Sequence, residues 1–159
     1  MAVTVKEAFV RFPAKFYVQR NGHVRLLEDN FLCMKIERKK VVYNVVVHFQ
    51  KNYENDGLSR PEFAKKWIKK FDQDNSLYNF AGAVHDWLYS VKGDGKFSRS
   101  ECDDIFRGVL REAGISRFKA GMMDWAVGVF AGNSRHWGND SFKVKNLVKI
   151  EEYRPWPIQ

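Results

Sequence analysis

The chain has 159 residues, of which 45% are hydrophobic, 29% charged and 15% aromatic, which is one globular domain's worth of core-forming sequence and excludes a disordered tail. Two cysteines, Cys33 and Cys102, exclude a disulfide-built scaffold, and no apolar run reaches bilayer-spanning length. A net charge of +8 favours a polyanionic partner: nucleic acid, an anionic membrane surface or an acidic protein.

Met1 to Lys15 carries charges at Lys6, Glu7, Arg11 and Lys15 and has no apolar signal-peptide core, so synthesis in a reducing cytosol without an export signal is expected. Lys15–Gln19, His23–Leu27, Phe31–Glu37 and Val41–Phe49 are rich in β-branched and aromatic residues. Asn21-Gly22, Asp29-Asn30 and Lys39-Lys40 separate them as turns, which predicts an antiparallel sheet. Val41 to Val47 is almost continuously apolar and predicts a central strand. From Pro61 the period becomes helical, with Phe63, Trp67, Ile68 and Phe71 on one face. A second helix is predicted from Leu77 to Val91, with Phe80, Val84, Trp87, Leu88 and Val91 as its stripe and Gly93-Asp94-Gly95 as its stop. Ser98-Arg99-Ser100-Glu101 has capping-box spacing and opens a third helix through Phe106, Val109, Leu110 and Ala113, closed by Gly114. A fourth carries Phe118, Met122, Trp125, Val129 and Phe130 and ends at Gly132. The fold class expected is α+β in one domain, 1–159. An antiparallel part (1–54) precedes a helical core (55–132) and an irregular tail (133–159) with one short strand near Val144–Ile150.

Polar groups interrupt the helical pattern at two places. His85 and Asp86 border the apolar stripe of the second helix. Asp103 shares a side with Phe106 and Leu110, whereas Asp104 lines up with Arg107 and Arg111 on a predicted solvated face. The short glycine-containing connection makes the two helices antiparallel neighbours, which can join His85 to Asp103. A carboxylate on one imidazole nitrogen fixes the tautomer and leaves the other as a general base. The alternative is a core histidine paired with a helix-start carboxylate and no catalysis. Upstream, Asn55-Asp56-Gly57 can turn backbone carbonyls toward a ligand; with Asp86 this gives an all-oxygen set suited to Ca²⁺, or else an ordinary turn.

In chain order, Asp56-Gly57-Leu58-Ser59, His85-Asp86-Trp87-Leu88-Tyr89, Asp103-x-x-Phe106 and Ala126-Val127-Gly128-Val129-Phe130 resemble a phage-associated family of unknown function. That family carries an Asp-x-x-Ser loop, a His-Asp-x-Leu-Tyr helix and an Asp-x-x-Phe helix. The same order is similar to the secreted phospholipases of the A-two type, which have a calcium loop, a His-Asp-x-x-Tyr helix and a partner Asp on the next, antiparallel helix. The likeness covers about Asn55 to Gly132.

It implies a phospholipase-like helical core in which His85 is the base, Asp103 orients it and Tyr89 packs on or bonds the dyad carboxylate. Asp56, the Gly57 carbonyl and Asp86 would hold Ca²⁺. It further implies a phage-encoded protein made in the host cytoplasm, acting on lipid ester at virion entry or lysis. The competing expectation is a virion structural or host-interaction protein that keeps the scaffold without its chemistry. The chain departs from the phospholipases in lacking their bracing disulfides, in Leu58, and in the predicted sheet from Lys15 to Phe49, which suits docking or assembly with other phage proteins.

Lys65, Lys66, Lys69 and Lys70 oppose Phe63, Trp67 and Phe71, as in a basic amphipathic helix on an anionic membrane or phospholipid; a solvated face above core aromatics is the plainer alternative. The same lysines suit nucleic acid, although no nucleic-acid motif accompanies them. Asp72-Gln73-Asp74 starts like an EF-hand loop but has Leu77 where glycine is required. His23, His48 and His136 lack metal-ligand spacing, and both cysteines read as small buried residues.

Overall fold

A computed structural model describes residues 2–55, 57, 62–130, 137–138 and 145–157. Strands β1 (Val3–Val10), β4 (Asn30–Arg38), β5 (Val41–Phe49) and β7 (Val148–Pro155) form an antiparallel sheet in the order β1-β4-β5-β7. The near-continuous apolar run from Val41 lies in β5, an inner strand, as its composition predicts. Lys39 and Lys40 make the β4–β5 turn with φ of 51° and 65°, the left-handed pair that a two-residue hairpin of this twist requires. A second small sheet joins β2 (Phe16–Val18), β3 (Val24–Leu26) and β6 (Glu54–Asn55).

Three helices, α1 (Ser76–Ser90), α2 (Arg99–Glu112) and α3 (Arg117–Phe130), complete an α+β fold. Period-two alternation sends Leu32, Met34 and Ile36 of β4 and Val45, Val47 and Phe49 of β5 into the core, where they join Phe80, Val84, Trp87 and Leu88 of α1 and Phe106 and Val109 of α2. Ser98 and Glu101 form the predicted capping box at the start of α2. The Asp72–Asn75 stretch is a helix start: the Asn75 side chain accepts from Tyr78 N–H and donates to the Ala113 carbonyl beyond the end of α2.

One strand goes beyond the sequence expectations, and three of those expectations need correction. The N-terminal segment is strand β1, unrecognised because a register shift between Val5 and Glu7 breaks its alternation. The short strand expected near Val144–Ile150 is present but runs from Val148 to Pro155 and pairs with β5 over its length, so this part of the tail is not irregular. The lysine-rich stretch is not a helix: a single 3₁₀ turn, Glu62–Ala64, leads into bends, and Ala64 and Ile68 are its buried pair while Trp67 stays partly exposed. Four lysines within two turns favour this open course by mutual repulsion. On α3, Phe118 and Trp125 face outward, and Ala120, Met123, Ala126 and Val127 are buried. That helix carries two apolar stripes, and the one made of smaller side chains allows close approach to α2. Pro61, Gly132 and His136 lie outside the described residues, as do the side chains of Phe63, Val129 and Phe130.

Candidate active site

Residues around α1 are buried on nearly every side, so His85 sits inside the protein at 5% exposure. The 3₁₀ turn Lys92–Gly95 reverses the chain between α1 and α2, with Gly93 and Gly95 at φ of 69°. His85 packs on Phe106 of α2, and Tyr89, one turn later, reaches Asp103, nearly one turn earlier, so the helices run antiparallel as predicted. A salt bridge and a hydrogen bond from the β4 end fix the approach of α2: Arg38 Nε lies 2.9 Å from Glu101 Oε1, and Arg38 Nη1 donates to the Lys96 carbonyl at 3.0 Å.

The hydrogen bond between His85 Nε2 and Asp103 Oδ1 is 2.9 Å long, and the Tyr89 hydroxyl donates to the same oxygen at 2.7 Å. His85 Nδ1 is turned toward Asp86, whose Oδ1 is 3.9 Å away at ion-pair distance. Burial pushes the His85 pKa down, but the Asp103 and Asp86 carboxylates outweigh it and raise it to about 9. Burial likewise pushes Asp103 upward, and the bonds from His85 and Tyr89 more than offset this, leaving it below the usual carboxylate range. Tyr89 is held firmly in its protonated form by burial and by donation to Asp103. Trp137 packs edge-on against the Tyr89 ring, and Gly138 N–H donates to the Tyr89 carbonyl, so the 137–138 segment backs the site.

Two residues that sequence reasoning missed complete the arrangement. Arg107 on α2 bridges Asp104 and, at 3.3 Å, Asp124 Oδ2 on α3. Burial and then the neighbouring Asp103 charge raise the Asp124 pKa to about 6. Its sequence signal is a lone carboxylate four residues after Ala120 and three before Val127, on the inward stripe of α3. Asp104 itself requires correction: it is not on a solvated face but 5% exposed, accepting the Val3 N–H at 3.1 Å while ion-paired to Arg107. The inward-facing Asp103 has the more open side chain of the two, at 30% exposure.

Of the calcium set, Asp56 lies outside the described residues, as do Leu58 and Ser59. Gly57 is buried at φ 81°, its N–H taken by the Asn55 side chain. Asn55 donates to the Tyr53 hydroxyl, which in turn bonds the Ala83 carbonyl, anchoring this loop to α1 one turn before Asp86. Carboxylate and carbonyl are hard oxygen donors that fit a divalent cation, and the side chain of Asp86 is about one-third exposed. Among the described residues no group of three His, Cys, Asp or Glu side chains converges as a metal cage. A cation there would need carbonyls and water as well. Lys65 and Lys69 pair with Glu62 and Asp72, and the aliphatic stem of Lys70 packs beside Gly57. Cys33 and Cys102 are buried thiols, the latter pushed up to about 12 by burial. His48 lies between Asp29 and Glu151 and stacks on Phe31, as a sheet-surface residue. No described helix is long and apolar enough to cross a membrane.

The fold and the site define an α+β protein with a buried histidine–carboxylate–tyrosine cluster on an antiparallel helix pair. The chain belongs to the family described as a protein of unknown function (DUF1353), whose model matches residues 30–127. That span runs from β4 through most of α3 and includes His85, Tyr89, Asp103, Arg107 and Asp124. No curated protein and no solved structure matches the chain.

Proposed function

We propose that this is a phospholipase-like hydrolase of phage origin, acting on a lipid ester with the aid of Ca²⁺ at virion entry or lysis. One observation carries the reading. Asp103 Oδ1 accepts from both His85 Nε2 and Tyr89, which fixes the imidazole and leaves Nδ1 on the side of Asp86. In that orientation Nδ1, once free of its proton, takes a proton from an attacking water, and Asp103 stabilises the imidazolium that forms. Tyr89 holds the carboxylate in place, and the Phe106 ring excludes bulk water from the imidazole face. Asp56, the Gly57 carbonyl and Asp86 would hold the Ca²⁺, which supplies a Lewis acid to the ester carbonyl and a counter-charge to the phosphate.

A second reading rests on a different observation. With its pKa raised to about 9, His85 is an imidazolium at neutral pH, locked between two carboxylates. That state suits a fold-specifying ion pair in a virion structural or host-interaction protein. Calcium calorimetry separates the two first. The hydrolase reading expects binding in wild type and none in Asp86→Asn, followed by calcium-dependent hydrolysis of phospholipid vesicles that His85→Gln abolishes. Absence of binding at millimolar calcium overturns it and leaves the structural reading.

A further inference from the structure

We infer that the β2–β3 hairpin and the lysine-rich 62–70 segment form one composite surface that binds an anionic lipid bilayer, delivering it beside the Gly57 loop. The inference deepens the proposed function and rests on it for its purpose, because a lipid-ester site needs its substrate presented at a surface.

Three separate stretches of chain meet there. Lys70 Nζ comes within 3.9 Å of where a Cβ on Gly22, at the hairpin tip, would lie. On its other side, the Lys70 stem and the Phe71 ring close over Gly57 so tightly that a Cβ would sit 2.5 Å from Lys70 Cγ. β6 pairs with β3, so the hairpin and the loop also belong to one sheet. The lysine segment is held from beneath by burial of Ala64 and Ile68 and by donation from the Tyr78 hydroxyl to the Lys69 carbonyl.

Charge and apolar exposure then select the partner. Among the described residues of the hairpin, β6 and the 62–72 segment, the cations Arg20, Arg25, Lys65, Lys66, Lys69 and Lys70 are accompanied by the carboxylates Glu54, Glu62 and Asp72, each of which already has a partner: Gln19, Lys65 and Lys69 in turn. Among the described residues none forms an ion pair with Arg20, Lys66 or Lys70. On the free edge of β2, Val18 and Tyr17 are 67% and 53% exposed, with the Arg25 guanidinium 5.9 Å over the Tyr17 ring, and Trp67, next in sequence to Lys66, is 39% exposed. Cations with aliphatic and aromatic side chains among them match the boundary of headgroups and acyl chains. An aliphatic edge residue such as Val18 gains nothing against a nucleic-acid phosphate backbone, which therefore fits this surface less well.

The test is co-sedimentation with vesicles of phosphatidylglycerol and phosphatidylcholine, against phosphatidylcholine alone, in the presence of a chelator. Wild type is expected to bind the anionic vesicles, to ignore the neutral ones and to be released by salt. Arg20→Gln with Lys66→Gln, one cation from each element, should weaken binding about thirty-fold. Val18→Ser should weaken it several-fold at an intermediate salt concentration where wild-type binding is reduced but still measurable. His85→Gln and Asp86→Asn should bind like wild type, so failure of the catalytic reading leaves this result standing. Equal partition to both vesicles, or a double variant that binds as wild type does, overturns the inference. Retention of a DNA oligonucleotide without vesicle binding also overturns it. Thermal melts of each variant verify folding, and the salt and Val18→Ser arms keep the test decisive if the double variant does not fold.

Discussion

Replacing Asp103 by Asn removes one charge from the core of the site while keeping its shape, and the size of the effect should depend on pH. His85 is 5% exposed and joined to Asp103 Oδ1 at 2.9 Å. Its pKa of about 9 stands above the ordinary histidine value of 6.5. By linkage that gap corresponds to about 3 kcal/mol of folding stability. Because the folded-state pKa is the higher one, the contribution is fully present below pH 6.5 and disappears as pH rises through about 9. The depressed Asp103 carboxyl reports the same contact from the other side, and its share is lost only in acid as pH falls through its folded pKa. Measurements at pH 6 and pH 10 therefore isolate the histidine. Asn can still accept through Oδ1 from His85 and Tyr89, so the hydrogen-bond pattern survives. Urea denaturation in the presence of a chelator should show Asp103→Asn about 2–3 kcal/mol less stable at pH 6, and less than about 1 kcal/mol at pH 10. NMR titration of the His85 ring should show its pKa falling to or below the unperturbed value in the variant. An equal cost at both pH values, or a wild-type His85 that titrates below pH 7, refutes the electrostatic account of the pair.

Asp104→Ala should cost about 2–3 kcal/mol, because it leaves the Val3 N–H unsatisfied and removes the Arg107 partner; hydrogen exchange should rise at Val3 more than elsewhere in β1. Gly108→Ala would place a Cβ 2.4 Å from Val5 Cγ2, so the α2–β1 contact must shift, and a loss of about 1–3 kcal/mol in chemical denaturation is expected despite the better helix propensity of alanine. Asp124 has a folded pKa of about 6, above the ordinary aspartate value of 3.8, so its ionisation opposes folding as pH rises between those values. Asp124→Asn should therefore gain up to about 3 kcal/mol relative to wild type between pH 4 and pH 7; a difference that does not change over that interval contradicts the assigned burial.

The helix pair was legible because its signals are local. A capping box at Ser98, a glycine stop after Val91 and a 3.6-residue apolar period define α1 and α2, and those two helices alone bring His85, Tyr89 and Asp103 together. What stayed hidden depends on partners far along the chain. The bulge after Val5 obscured β1, and without β1 nothing identified the buried side of α2 that holds Asp104. Helical periodicity ranked Asp103 and Asp104 by their own neighbours, Phe106 and Arg107, and so called Asp104 solvated. Tertiary context makes Asp104 the more buried of the pair, since its carboxylate answers a strand N–H that lies 101 positions away. Asp124 stayed hidden for a related reason: α3 shows two apolar stripes, and the one with the larger side chains, through Phe118 and Trp125, is the exposed one. The consequence is specific to function. The dyad is set by local sequence, whereas the Arg107–Asp104–Asp124 cluster beside it joins strand β1 and helix α3 to the same two turns of α2. A perturbation of the N-terminal strand should thus be felt at Asp103 through Asp104 and Arg107, one turn along the helix, and a Val3 substitution that leaves the His85 ring titration unchanged would refute that link.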